Sequence, residues 1–410
     1  MGATENTKNA YWIVVIAALG YFVDIYDLIL YNVVKKASLA SIGISGDAFK
    51  ACEHVLFNWQ MFGMMLGGLL WGILGDKKGR ISVLFGSILL YSVANIANGM
   101  VQNMDQYIIC RFIAGVGLAG ELGAGITLVS ETLHKSKRGI GTMIIVSFGA
   151  LGAVAASLVG KYYDWQNAYF IGGGLGLLLL LLRAGALESG MYKSLKDSAN
   201  IKKGRFVQLF NSRATTFKYI NCILIGVPIW FMISVLINMS PNFVKLTTEM
   251  TGDDMVGQAV MFAYIGLSSG DVVSGLLSQW FKSRRKVIFI YLALSVVFIL
   301  YYLNVGSMTL NQFRVWCLLL GIGTGYWALF VQVAAESFGT NIRSTVTNTV
   351  PNFVRGAVVP ITIAYKSLAG SMGNQQAALI VGGVCVTIAL VATYFTKETF
   401  SKDLDYYEID

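Results

Sequence analysis

Charged residues set into long apolar stretches are the first chemistry this sequence offers. Arg111, Glu121 and Glu131 recur at ten-residue intervals in RFIAGVGLAGELGAGITLVSETLHKSKR, residues 111 to 138, and ten residues of helix rise about 15 Å. The three charges therefore fall near one end, the middle and the other end of a membrane-length helix. A charge at such depth costs at least about 2.5 kcal/mol and should face a protein interior or a wet cavity. Arg111 and Glu131 could snorkel to water from near the ends; Glu121 could not. In YFVDIYDLILY, Asp24 and Asp27 are three apart and share one helical face. Two carboxylates so close and so far from water are not both freely ionised, so one is expected to exchange a proton. Asp27 is the deeper.

The C-terminal half carries a different set. Thr345, Asn348, Asn352 and Arg355 follow a 3, 4, 3 rhythm that puts them on one helical face, a polar stripe suited to water or substrate. Ser268, Asp271, Gly275 and Ser278 repeat the pattern. Arg355 could bind an anion or pair with Asp271 across a helix contact; Asp271 could instead complement an amine. Trp327, Tyr326, Trp230 and Gln60 are candidate cavity liners. The aromatic ones could equally anchor at the membrane interface.

Composition decides what must position these groups. Of 410 residues, 55% are hydrophobic and only 13% charged, with mean hydropathy +0.63, whereas soluble domains carry about 25% charged residues. An all-α membrane protein follows. Apolar segments near 20 residues fall at about 11–34, 55–75, 81–102, 106–132, 140–160 and 166–187, then at about 217–243, 256–281, 286–304, 311–337, 344–369 and 375–396. The division predicts an N-terminal six-helix bundle (1–187), a basic linker (188–216), a C-terminal six-helix bundle (217–396) and a tail (397–410). Most of the 31 lysines and arginines lie in the loops of one side, which predicts cytoplasmic termini in an inner or plasma membrane. The start, MGATENTKNA, lacks the basic region and cleavage site of a signal peptide, so helix 1 is expected to direct insertion. Asn6 stands where myristoylation wants Ser or Thr.

The halves repeat. A shift of 205 superposes Gly120 on Gly325, Glu131 on Glu336 and Arg138 on Arg343, as expected of a transporter built from related halves. Pro228, Pro241, Pro351 and Pro360 fall in the segments of helices 7 and 11, which should bend there.

The loop after helix 2 reads GILGDKKGR, Gly72 to Arg80. Gly72 permits close helix approach and Gly79 a turn with positive φ. Asp76 can cap a neighbouring helix while Arg80 reaches Glu131. This loop, the Arg-x3-Gly-x-Gly of helix 4 and its terminal Ser-Glu resemble the signatures of the major facilitator superfamily. DIYDLIL in helix 1 and Arg183-x3-Leu-Glu-Ser after helix 6 point to its symporters of sugars, phosphate and organic metabolites, above all the metabolite:proton symporters. The resemblance implies twelve transmembrane helices in two pseudo-symmetric six-helix bundles and a breakable cytoplasmic gate at Gly72, Asp76, Gly79, Arg80, Glu131, Arg138, Glu336 and Arg343. It also implies a proton switch of Asp27 with Arg111, as in sugar symporters that pair a Tyr-Asp motif with the helix 4 arginine, Glu121 being the other protonatable group. Gln279 stands where the first-half loop has Asp76, so the second half of the gate should be weaker.

Other classes lack their ingredients. No GxxxxGK[ST] or HExxH occurs, the five cysteines are scattered singly, and the two histidines, His54 and His134, are expected in loops. No cofactor or metal is expected, and the divided basic residues do not form a nucleic-acid face. The expected protein is a monomer in the lipid bilayer that takes up a small polar metabolite with a proton. The substrate carries a carboxylate: an organic acid, an amino acid or betaine, or a carboxylate siderophore. Proton-antiport efflux is the alternative within transport, although helix 5 lacks the Gly-Pro motif of drug antiporters; a transporter-like sensor would be expected to carry a large soluble extension.

Overall fold

The computed structural model describes residues 2–183 and 203–408. Lys193, Lys196 and Lys202 of the linker, and the Leu-Glu-Ser of the helix 6 signature, lie outside the described residues. Twelve long helical runs are numbered here in chain order: α1 (Gly2–Ser41), α2 (Asp47–Lys78), α3 (Arg80–Asn98), α4 (Met104–Leu118, then Glu121–Thr132), α5 (Arg138–Ala150, then Gly152–Tyr162) and α6 (Trp165–Leu182). The second set is α7 (Arg213–Phe231, continued by a π-helical turn, Met232–Ile237), α8 (Gly252–Trp280), α9 (Arg284–Asn304), α10 (Leu310–Thr324, then Trp327–Ser337), α11 (Arg343–Gly356, then Val358–Met372) and α12 (Asn374–Phe395). A two-residue parallel ladder, β1 (Lys245–Leu246) on β2 (Ser307–Met308), joins two loops.

Ten of the described runs are long and apolar enough to cross a membrane. The other two, α2 and α11, pack against each other, so their polar residues face protein instead of lipid. Glycines allow that approach. A Cβ at Gly72 would lie 2.7 Å from the Thr345 Cα, and one at Gly68 would lie 3.0 Å from the Asn348 carbonyl. The polar stripe of α11 is thus partly spent on holding the two bundles together.

The repeat is visible in where helices break. α4 is interrupted at Ala119–Gly120 and α10 at Gly325–Tyr326, breaks that share Gly120 and Gly325, the pair that the 205-residue shift superposes. Trp71 Nε1 donates to the Val116 carbonyl at 2.7 Å beside the first break. At the second, a Cβ on Gly325 would lie 2.4 Å from Gly270, and Asp271 caps the restarted helix by accepting from the Ala328 amide at 2.9 Å. The prolines behave differently from one another. Pro228 precedes the π-helical turn of α7, and Pro351 and Pro360 flank the α11 break at Ala357. Pro241 sits in a separate 3-10 turn, Ser240–Asn242, because α7 ends earlier than its apolar run suggests.

Replacing Gly72 by Val should force α2 from α11, an overpacking cost of about 1–3 kcal/mol. The expected result is a thermal unfolding midpoint lower by several degrees for the purified protein; an unchanged midpoint would show that this contact does not bind the bundles.

Candidate functional site

Two buried charge systems lie between the bundles. The first occupies the end that carries the basic loops. Asp76, at the end of α2, accepts from the amides of Ser344 at 3.0 Å and Thr345 at 2.9 Å and from the Thr345 hydroxyl at 2.7 Å. It therefore caps α11, whose first amides have no partner within the helix. Gly79, at φ 105°, turns the chain so that Arg80 folds back. Arg80 donates to Glu131 from Nε at 3.0 Å and Nη2 at 2.8 Å, and to the Gly75 and Thr340 carbonyls. Arg343, from the other bundle, reaches the same carboxylate at 2.9 Å. One glutamate thus holds two arginines from opposite bundles.

Arg138 does not join Glu131. Its guanidinium donates to the Leu133 carbonyl and, from Nη1, to the Lys402 carbonyl at 3.1 Å. Glu336 pairs with Arg284 at 3.2 Å and accepts from Gln332 and from the Thr399 hydroxyl. The two halves are unequal: Asp76 makes three cross-bundle bonds, while the amide nitrogen of Gln279 is buried with no hydrogen-bond partner.

The second system is central. Asp24 and Arg355 face each other across the bundles at 3.7 Å, an ion-pair contact longer than a hydrogen bond. The guanidinium lies 5.7 Å from the ring centre of Trp327, whose Nε1 donates to the Tyr21 hydroxyl at 3.0 Å. Trp230 meets Trp327 edge-on with ring centres 6.3 Å apart. Tyr21, Tyr264, Trp230, Trp327 and Arg355 line a small cavity. Both Asp24 oxygens, Arg355 Nε and Nη2, and Trp230 Nε1 are buried without hydrogen-bond partners.

The remaining candidates have other places. Asp27 is wholly buried and its oxygens accept no hydrogen bond. Arg111, expected as its partner, donates instead to the Gln60 side chain and lies 4.6 Å from the Tyr31 ring centre. Tyr31 is one helical turn beyond Asp27, so α1 offers the guanidinium an aromatic face where a carboxylate was expected. Glu121 is bound within its own bundle, accepting from Arg183 at 2.6 and 3.0 Å and from Ser87 at 2.8 Å. Asp271 is the helix cap already described. Asn352 donates to the Ala119 carbonyl at the α4 break and accepts from Arg355 Nη1 at 3.3 Å, while Asn348 donates back to Ser344. The Tyr326 hydroxyl bonds the Ile225 carbonyl inside the second bundle.

Sequence reasoning missed Tyr21, Tyr264, Arg284 and the tail. Tyr21 was findable, being three residues before Asp24 and on the same face. Arg183 was noticed only as part of a signature, and pairing it with Glu121 needs the three-dimensional fold.

A twelve-helix, two-bundle membrane protein with a polar centre and a charged closure at one end is the architecture of a solute carrier. The sequence profile of the Major Facilitator Superfamily matches residues 17–374, and the chain belongs to that family. It is similar to the 3-(3-hydroxy-phenyl)propionate transporter of Escherichia coli, 26% identical over 87% of this chain and 89% of the relative. It is also similar to the sialic acid transporter NanX of Escherichia coli, 24% identical over 86% of each. Among solved structures, the proton:xylose symporter XylE matches with a TM-score of 0.75 at 15% identity over 98% of both chains, a likeness of fold. The protein is a transporter of small metabolites and not an enzyme.

Asp76→Asn removes the charge from the α11 cap, a loss of up to about 2 kcal/mol for a buried site. In a background with the native cysteines replaced, labelling of a cysteine placed at Thr347 by a soluble maleimide should quicken by about tenfold. Unchanged labelling would mean that Asp76 does not help to keep this end shut.

Proposed function

We propose that the protein imports a small carboxylate together with a proton across the plasma membrane, and that Arg355 holds the substrate carboxylate. The observation that carries the reading is a difference among buried arginines. Arg80, Arg183, Arg284 and Arg343 each have a carboxylate within 3.2 Å. Arg111 also lacks a carboxylate and has two nitrogens without hydrogen bonds, but it is held inside the first bundle by Gln60 and the Tyr31 ring. Arg355 lies between the bundles, with only the looser contact to Asp24 and two nitrogens without hydrogen bonds. A guanidinium has five donors in a fork that matches a carboxylate, so a substrate anion fits better there than Asp24 does.

Coupling follows from competition. While Asp24 is ionised it occupies Arg355. A substrate carboxylate that takes the guanidinium leaves Asp24 without its cation, and the aspartate then binds a proton. Asp24 thus takes the coupling role that the sequence suggested for Asp27. Asp27, one turn along α1, passes the proton to or from Asp24, with Arg111 as the fixed charge beside it. Binding and protonation then favour one another equally. The aromatic lining of Tyr21, Tyr264, Trp230 and Trp327 favours an acid with a planar or ring-bearing body, and relatives that carry 3-(3-hydroxy-phenyl)propionate and sialic acid are consistent with a carboxylate. Glu121, fixed by Arg183, is assigned to structure.

The closed end is assigned to the cytoplasm from its basic loops. At the other end a cavity of about 150 Å³, lined in part by Lys35, Glu53, His54, Ser234 and Lys366, lies between the bundles and is bridged by the Lys366 to His54 hydrogen bond, which supports a state shut to the cytoplasm with the outer path only partly open. Release to the inside requires the Glu131 pairs and the Asp76 cap to part, in alternating access.

Proteoliposomes offered benzoate, nicotinate and 3-(3-hydroxy-phenyl)propionate, with benzamide as the uncharged control, test both roles. An imposed inward proton gradient should drive uptake of at least one acid and not of the amide. Asp24→Asn should abolish accumulation yet keep exchange of that acid, and Arg355→Gln should weaken its binding by about tenfold or more. Accumulation that survives Asp24→Asn, or affinity that survives Arg355→Gln, contradicts the assignment.

A further inference from the structure

The basic end holds a second cavity that the transport path does not use. It measures about 470 Å³ and lies between the start of α7, the end of α10 and the segment that follows α12, a size within the usual range of small-molecule sites. Lys218, Lys397 and Lys402 line it, with Asn221, Thr215 and Thr396 beside them. Its one lining carboxylate, Glu398, is already committed. Glu398 accepts from the Ser283 hydroxyl and from the amides of Arg284, Thr399 and Phe400. Lys218 donates to Glu408 at 2.8 Å and to the Ser337 carbonyl at 3.1 Å. Lys402 bonds the Tyr406 hydroxyl at 2.9 Å, and neither it nor Lys397 has an acidic partner among the described residues. Partial burial, and then the nearby Lys218 charge, push the Lys402 amine below its usual range. Two solvent-exposed ammoniums without an acidic partner, Lys397 and Lys402, thus share one cavity with Lys218, a cluster of positive charge that an anion could join.

The same segment is bound to the charged closure. Thr399 donates to Glu336 at 2.8 Å, the Lys402 carbonyl accepts from Arg138 at 3.1 Å, and the Leu404 carbonyl accepts from Arg343 at 2.6 Å. Residues 399 to 404 thus touch an arginine of each bundle. Anything that fixes Lys397 and Lys402 also fixes the carbonyls that complete those two arginines.

We infer that this tail-covered cavity binds a phosphate group through Lys218, Lys397 and Lys402, and that its occupancy clamps residues 398–408 across the gate and slows opening. Lysine ammoniums serve phosphate as compact point charges, and a dianion matches three of them where a monocarboxylate would not. The phosphate is either that of a soluble metabolite or that of an anionic lipid reached past Phe217 and Phe395, both of which line the cavity and are half exposed at the bundle surface. The site is independent of which solute is carried.

The full-length protein in detergent is titrated with inorganic pyrophosphate. In parallel it is placed in nanodiscs of phosphatidylcholine with and without phosphatidic acid. Thermal midpoint and amide exchange of residues 398–408 are read in both arms, for wild type and for Lys397→Ala/Lys402→Ala, which leaves the tail carbonyls in place. Pyrophosphate should raise the midpoint and slow tail exchange, with binding weakened about tenfold or more in the double variant. The same response to phosphatidic acid alone assigns the phosphate to the membrane and also supports the site. No response in either arm, or a response equal in the double variant, overturns it.

Discussion

A guanidinium buried in a membrane protein must find acceptors inside the fold, and this requirement organises the structure. Arg80, Arg111, Arg183, Arg284, Arg343 and Arg355 are all wholly buried, where an unpaired charge would cost several kcal/mol. The most demanding case is Glu131, which serves Arg80 of one bundle and Arg343 of the other. Because the two arginines repel each other, the arrangement holds only while the carboxylate lies between them and backbone carbonyls complete the remaining donors. That makes the closure strong when assembled and able to part as a unit once α2 and α11 separate.

The pseudo-symmetry of the halves sharpens the point by its failures. Glu336 is the counterpart of Glu131, yet its arginine, Arg284, comes from its own bundle, and Arg138 is completed by the tail. The first-half loop caps α11 through a charged Asp76; the second has Gln279, whose amide nitrogen finds no partner. The tail contributes bonds of another kind, carbonyl acceptors for the Arg138 and Arg343 guanidiniums. Closure is asymmetric, strongest where Asp76 and Glu131 act and dependent on residues 399 to 404 elsewhere.

The twelve helices, the two-bundle division and the repeat were legible in the sequence, because apolar length and glycine spacing are local properties. Part of the charged cluster at the closed end could also be singled out: Gly72, Asp76, Gly79 and Arg80 fall within nine residues, and Glu131 and Arg343 are marked by the repeat, while Arg138 and Glu336 take other partners. Partner choice was not legible. Asp27 and Arg111 were read as a pair, but the Tyr31 ring and Gln60 take the guanidinium. Glu121 looked free to titrate and is bound by Arg183, while Asp24, the shallower acid by position, meets Arg355. Each depends on how two helices rotate about their axes, which spacing within one helix does not fix. Trp327, singled out from its own helix alone, lines the small central cavity, and its neighbours there, Tyr21 and Tyr264, were missed because the contact between helices is not local.

The central claim is that Asp24 and a substrate carboxylate compete for Arg355. Proton uptake on binding tests it most directly, with purified protein in weakly buffered detergent, a pH indicator, and the carboxylate found to be transported. The account predicts close to one proton taken up per carboxylate bound in the wild type at a pH where Asp24 is ionised, and none in Asp24→Asn although that variant still binds the acid. Binding without proton uptake in the wild type, or uptake undiminished in Asp24→Asn, would contradict it.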